Sequence, residues 1–437
     1  MRLRNFIKSL VRLCADAGAV QPIAFLAARK AVRIADAAPG GGEVLNVLAL
    51  SPERFTGDLR ALAASGRFAV HALPEYYQYA CLALFDEGPR RERFLERFLR
   101  AYRKRMPFDI VLGTSVWYRQ DIPWGAAAQR AGIPYVILHK ECFKPEPPQM
   151  QTTVDKALRF GAFPGERLIV HNRPVADAFA AGGYAPAERI SVCGAMRMDD
   201  FVRRANAGEG ARASQRARPL VTYFSFALGI GLDDRGVSPF PADPSDGWYE
   251  LFRESHAAFA RLARRRPDVD FVIKTKWHGQ WTRMIEEIIR DSGAPLEAIP
   301  NLRVDSSGSA HDLIYDSTVV CGFGSTTMLE AGLTDKPIVV PHFGEVDAPE
   351  FRGRVKLEDS YHLFDVARSG AAFESEIERN LTPPPVAADV RAARRELFER
   401  WVSPLDGSAM DCYLDTLSAI ARRGTTVASA PGSATEG

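Results

Sequence analysis

Residues 317–343, STVVCGFGSTTMLEAGLTDKPIVVPHF, set two β-branched runs either side of a helix-like segment. The first run closes on Gly322-Phe323-Gly324, the hydroxyls Ser325, Thr326 and Thr327 follow, and Glu330 stands about one turn further on. A strand ending in Gly-x-Gly turns tightly and brings bare backbone close to a ligand. The helix that follows begins with unpaired N–H groups and a partial positive charge, which suits an anion. The same residues also fit a plain N-cap, with Glu330 as a capping-box partner.

The alternation recurs along the chain. VLNVLAL (44–50) enters Ser51-Pro52 and a helical segment from about 54 to 65, and FAVHALP (68–74) follows. The charged segment 89–105 has helical spacing and reads as a solvated face, or as a surface for an acidic acceptor. DIVLGTS (109–115), a helix through WGAAAQRAG and YVILHKE (135–141) form a βαβ unit, and RLIVHN and ERISVCG add short strands. A second series begins at PLVTYFSF (219–226) and contains FVIKTKWH (271–278), NLRV and the opening stretch. Strands alternating with helices predict parallel sheets covered on both faces. A Gly/Asp/Pro-rich loop at about 229–247 is long enough to be functional or mobile. The division expected is a basic amphipathic N-terminal segment (1–40), an α/β domain (41–203), a linker (204–218), a second α/β domain (219–382), C-terminal helices (383–422) and a disordered tail (423–437). Ligands of such sheets sit at the carboxyl ends of the strands, and pockets favour domain clefts.

Composition narrows the function classes. Hydrophobic content of 46% and charged content of 25% are those of a soluble globular protein. The net charge of +2 gives the whole chain no nucleic-acid bias. Cys14, Cys81, Cys142, Cys193, Cys321 and Cys412 lie far apart, so reduced cytosolic thiols are expected rather than a disulfide framework or a zinc site. No apolar run reaches the roughly 18 residues of a membrane span. The first residues, as a helix, put Leu3, Phe6, Ile7, Leu10 and Cys14 on one side, with Arg2, Lys8 and Arg12 mainly on the other. That pattern fits a helix lying on an anionic membrane surface, or one docked on its own domain.

The strand ends supply the candidate chemistry. Lys274, Lys276 and His278 alternate along one face of an extended segment and suit a diphosphate or a sugar carboxylate. Asp268-Val269-Asp270 spells a metal-binding DxD but precedes its strand, so no metal site is expected there. Thr114 closes DIVLG, while His139 and Glu141 close YVIL; Glu141 suits a general base on an acceptor hydroxyl, or a structural ion pair. His171, Arg197 and His342 occupy equivalent positions after other strands. Neither a GxSxG elbow nor a GxxxxGK[ST] phosphate loop is present.

CGFGSTTMLEAGLTDKPIVVP (321–341) resembles the donor-site strand–helix–strand of GT-B glycosyltransferases, in which G-S-T-x-x-E-A-x-x-x-x-K-P-v-v recurs. FVIKTKWHG resembles the v-i-K-x-H-P segment of capsule and surface-polysaccharide transferases, departing from it at Gly279 in place of proline. ISVCGAMRMDDF resembles their v-x-G-x-x-R-x-D, and GIPYVILHKE the end of their first-domain crossover; the whole covers about residues 105–345. The resemblance implies two Rossmann-like domains facing a cleft, the first for acceptor and the second for a nucleotide-sugar donor. It implies phosphate contacts from Gly324, Ser325, Thr326 and Thr327, and ribose contact from Glu330. Lys274, Lys276 and His278 then face the phosphate or sugar, with Glu141 and His278 as catalytic candidates. The fold usually works without a metal, because the helix dipole and basic side chains balance the leaving charge. One retaining class uses two glutamates eight positions apart, and here Ile338 stands at that interval from Glu330. The implied function is glycosyl transfer in bacterial surface-polysaccharide synthesis, in the cytoplasm or peripheral at the inner membrane. No cofactor is expected beyond the donor, and the expected partners are a nucleotide sugar, a glycan or lipid-linked glycan acceptor and an anionic membrane surface. Polyol-phosphate transfer of the teichoic-acid type and sugar-nucleotide epimerisation are rivals on the same fold, and a non-catalytic scaffold is a third.

Overall fold

The structure is a computed structural model that describes residues 19–35, 44–159, 161–209, 216–232, 235–382 and 384–428, with Ser9 and Leu13 besides. The N-terminal amphipathic face expected from Leu3, Phe6, Ile7, Leu10 and Cys14 lies outside the described residues. The chain divides into two compact units. Unit 1 is Met1–Cys142, Val154–Asp199 and Ser408–Gly437, and unit 2 is Phe143–Thr153 and Asp200–Gly407.

In unit 1, β1 (Val32–Ala35), β2 (Leu45–Ala49), β3 (Phe68–Ala72), β4 (Ile110–Gly113), β5 (Tyr135–His139), β6 (Arg167–Val170) and β7 (Ile190–Val192) form a seven-stranded sheet. The order is β1-β3-β2-β4-β5-β6-β7, parallel throughout except that β1 pairs antiparallel with β3. β4 and β5 are buried residue by residue, as strands covered on both faces must be. In unit 2, β8 (Leu220–Phe224), β9 (Asp270–Lys274), β10 (Leu302–Asp305), β11 (Val319–Gly322), β12 (Ile338–Pro341) and β13 (Asp365–Ala367) are all parallel, in the order β10-β9-β8-β11-β12-β13. Counted within the unit, this is 3-2-1-4-5-6, the Rossmann order. The direction in which successive strands are added to the sheet reverses between β8 and β11 in unit 2, and between β2 and β4 in unit 1. In sheets of this topology the crevice at that point, at the carboxyl ends of the strands, is where ligands bind.

Several boundaries differ from those expected. Residues 204–206 are not linker: the helix Asp199–Asn206 runs through them, and Arg204 pairs with Glu209 (2.9 Å) and Asp312 (3.3 Å) in unit 2. The last helices part company, Ala388–Trp401 belonging to unit 2 and Ala409–Ala428 to unit 1. That final helix also continues through 423–428, into the expected tail. Its Tyr413, Leu417 and Ile420 join the unit 1 core with Val47, Leu59, Phe68 and Ile169. Asp199 accepts the N–H groups of Ala409 (3.0 Å) and Met410 (2.7 Å), satisfying two otherwise unpaired donors at the helix start.

The expectation of six reduced thiols is corrected. Cys193, just past β7, and Cys412, in the first turn of the final helix, form a disulfide across 219 residues. Sequence spacing carries no sign of it, because docking of the last helix is what brings the two together. Cys81, Cys142 and Cys321 are buried and not disulfide-bonded. Cys412→Ser should lower unfolding stability by about 2–4 kcal/mol. Urea unfolding with and without reductant measures this, and reductant should destabilise the wild type while leaving the variant unchanged.

Candidate functional site

The opening motif occupies the switch point of unit 2. Phe224, ending β8, lies in register with Gly322, ending β11. Gly324 then takes φ +59°, a left-handed conformation that favours glycine. Ser325 is the N-cap of the short helix Thr326–Gly332 and accepts from the Thr327 N–H (3.3 Å) and the Thr327 hydroxyl (2.8 Å). Capping is therefore real, but Glu330 is no capping-box partner: Met328 holds the third helical position. Glu330 instead turns inward, 4% exposed, with an oxygen 3.6 Å from His311 Nε2.

A residue that the sequence reading passed over completes this crevice. Ser225 follows β8 directly and is half-buried. The fully buried His256 faces it from the helix Tyr249–Arg265. His256 Nδ1 lies 2.6 Å from the Phe252 carbonyl, which only accepts, so this nitrogen carries the proton and Nε2 accepts from Ser225 Oγ at 2.9 Å. Burial pulls His256 down to about 4, so the ring is neutral at neutral pH. The Trp281 indole N–H also donates to Ser225 Oγ, at 2.9 Å. With its proton committed to His256, the Ser225 hydroxyl offers a ligand only a lone pair.

The β9 group separates. Lys274 is buried and donates to the Thr275 carbonyl (2.8 Å); burial lowers its ammonium from the usual lysine range, with Asp305 opposing. Lys276 is exposed and lies over the Trp277 ring at 5.1 Å. His278, also exposed, hydrogen-bonds Ser306. β9 ends at Lys274, so the alternation expected to hold all three on one face stops there. His342, after β12, is buried: Nε2–H donates to Glu358 (3.0 Å), and Nδ1 accepts from Arg368. Burial and then Arg368 lower its pKa, against the pull of Glu358.

Unit 1 scatters its candidates. Thr114 and His139 are fully buried; the His139 ring packs edge-on against Trp117 and Phe179, and Nδ1 lies 3.4 Å from Ser115 Oγ. Glu141 is half-buried and forms no ion pair with any described residue. His171, half-buried, is pulled down to about 4 by burial and then by Arg197 and Lys140. Arg197 itself is tied to Asp58 at 2.8 Å.

The switch point of unit 1 holds a group that the sequence reading did not single out. Ser51, just beyond β2, is a non-glycine residue at φ +46°. Its hydroxyl donates to Asp121 Oδ1 (2.8 Å), which also accepts from Gln78 (2.7 Å), and Gln120 donates to Ser51 Oγ (3.2 Å). Asp121 is wholly buried, and its other oxygen finds no partner among the described residues. Burial pushes its carboxyl up to about 6, against the opposing bonds from Ser51 and Gln78. The only advance signal was the strand-to-Ser-Pro junction.

Among the described residues no cluster of three or more His, Cys, Asp or Glu is placed to hold a metal ion, and no helix is long and apolar enough to cross a membrane. Asp268 and Asp270 pair separately with Arg266 and with Arg216 and Arg218.

No protein-family model matches the sequence, and no curated protein matches it. Solved structures do match the fold. The wall teichoic acid polymerase TagF, soaked with CDPG, aligns over 98% of this chain and 100% of its own, at 12% identity and TM-score 0.53. HepE from Anabaena, in complex with UDP and glucose, aligns over 86% and 100% at 15% identity and TM-score 0.46. The UDP-GlcNAc 2-epimerase from Neisseria meningitidis, bound to UDP-GlcNAc, aligns over 86% and 100% at 12% identity and TM-score 0.48. The class of fold is thus GT-B, with two Rossmann-like units in one chain.

Asp121 gives a pH signature. Between about pH 4 and 6 the folded protein keeps a proton that the unfolded chain releases, so this group makes stability fall as pH rises through that window. Asp121→Asn removes the dependence, and the variant should gain about 3 kcal/mol relative to wild type between pH 4 and pH 7. Denaturant melts of both proteins across that range measure it.

Proposed function

We propose that the chain is a nucleotide-sugar-dependent glycosyltransferase of bacterial surface-polysaccharide synthesis. One observation carries the reading: Gly322-Phe323-Gly324-Ser325-Thr326-Thr327 turns into a helix at the switch point of a 3-2-1-4-5-6 sheet. In such sheets that crevice is where a nucleotide binds. In this reading the backbone and hydroxyls of Ser325, Thr326 and Thr327 hold the donor diphosphate, and the Glu330–His311 pair lies beside the ribose. Lys274, Lys276 and His278 answer the negative charge, and the acceptor-only Ser225 takes a hydrogen bond from a donor hydroxyl. Glu141 is proposed as the base that removes the acceptor proton. The acceptor oxygen then bonds to the anomeric carbon, and the nucleotide leaves with the electron pair of the broken C–O bond. A lipid-linked glycan acceptor would bring the enzyme to the cytoplasmic face of the inner membrane.

A second reading is transfer of a polyol phosphate, favoured by the likeness to a wall teichoic acid polymerase. It keeps the same nucleotide crevice and differs in the group moved, so phosphorus retained in the product distinguishes it.

Thermal melts against UDP, GDP, CDP, CMP, TDP and ADP, without added metal, test both readings. One nucleotide at about 100 times its dissociation constant should stabilise the protein by roughly 2.7 kcal/mol. Ser325→Ala should cost about 1 kcal/mol of stability through the lost cap, and should weaken the chosen nucleotide about tenfold, the loss of one charge-assisted hydrogen bond. Undiminished affinity in that variant would remove the crevice from the reading.

A further inference from the structure

The helices Val20–Arg29 and Pro89–Arg103 pack together on unit 1. With β1 and the adjoining loops, residues 19–35 and 89–106 carry eleven basic and two acidic residues, a net of +9 in a chain whose total is +2. Arg93, Arg97, Arg100 and Lys104 follow one another at helical spacing of four, three and four. They are exposed along one face, in a line about 16 Å long. The opposite face buries Phe94, Leu95, Phe98 and Leu99. Of the four cations, Arg100 pairs with Glu96 (3.1 Å); the side chains of the other three form no hydrogen bond or ion pair with any described residue.

An apolar element stands beside this line. Phe25 is 46% exposed and Val32, on the edge strand β1, is 53% exposed. The Phe25 ring has the Arg29 guanidinium at 5.6 Å and that of Arg105 at 5.8 Å from its centre. Between the two helices a hollow of about 420 Å³ is lined by the turn Ala19–Pro22 and by Arg97, Arg100 and Lys104.

We infer that this face of unit 1 docks on an anionic lipid bilayer, with the cation line on lipid phosphates and Phe25 entering the boundary between headgroups and acyl chains. Lipid fits better than nucleic acid on one count: guanidinium groups already lie over the Phe25 ring, leaving its edge to be inserted and not an open face for a base to stack on. Basic residues for attraction with an exposed apolar side chain for insertion are the two requirements of interfacial binding. The inference does not rest on the transferase reading and uses none of the residues proposed for it.

Flotation of the full-length protein with phosphatidylcholine vesicles, with and without phosphatidylglycerol, tests it. The wild type should float with the anionic vesicles alone and be released by salt. Each cation near an anionic surface is worth about fivefold in binding, so the triple variant R93E/R97E/K104E should lose at least about 100-fold. These side chains have no described partner to lose, and an unchanged melting temperature checks the fold. Phe25→Ser should weaken binding on its own and leave the salt dependence in place. Equal flotation with neutral vesicles overturns the inference, as does no flotation at all. Full flotation of the triple variant would assign membrane binding to another segment. Equally tight binding of heparin, indifferent to Phe25→Ser, would mark a site for a soluble polyanion.

Discussion

Each unit is organised by one strand that is paired on both sides while the chain winds away from it in opposite directions. In unit 2 this strand is β8, bonded to β9 and β11, and in unit 1 it is β2, bonded to β3 and β4. Parallel strands need helical crossovers, and crossovers that leave in opposite directions cannot fill the space above the central strand. The crevice is thus a consequence of topology before any side chain is considered. Its chemistry then depends on the first few residues after each central strand.

Both units place a serine there and back it with a buried titratable group. Ser225 is locked by His256 and Trp281, and Ser51 by Asp121, Gln78 and Gln120. Burial disfavours charge on both backing groups and moves them in opposite directions: the imidazole down to about 4, which leaves it neutral at neutral pH, and the carboxyl up to about 6, which still leaves it mostly ionised there. In unit 2 the neutral imidazole fixes the Ser225 hydroxyl proton without adding a charge beside it. In the proposed reading, the cations of the β9 loop and the N–H groups after β11 are then the groups that would answer an anion.

Much of this was legible in the sequence. β-branched runs predicted central parallel strands such as β4, β5, β8, β11 and β12 because these are buried along their length, so that hydrophobicity alone marks them. The Gly-Phe-Gly-Ser-Thr-Thr turn was legible because positive φ and N-capping restrict residue choice locally. What escaped depended on long-range packing. Edge strand β1 leaves Val32 and Arg33 exposed and lacks the burial that marks the central strands. The segment 143–153 directly follows unit 1 yet belongs to unit 2, where Gln149 donates to the carbonyls of Gly231 (3.0 Å) and Arg354 (3.2 Å). Cys193 and Cys412, like Ser225 and His256, meet only because distant segments pack together. The place of Glu330 in its helix was legible; its pairing with His311 was not.

The central claim is that the nucleotide of a sugar donor binds at the β8/β11 switch point. The most direct measurement is a crystal structure of the full-length protein soaked with the nucleotide that stabilises it most. The account predicts its phosphates within hydrogen-bonding distance of the turn at Gly324, Ser325 and Thr326, with the ribose toward Glu330. Phosphates bound elsewhere on either unit, with that turn unoccupied, would contradict it.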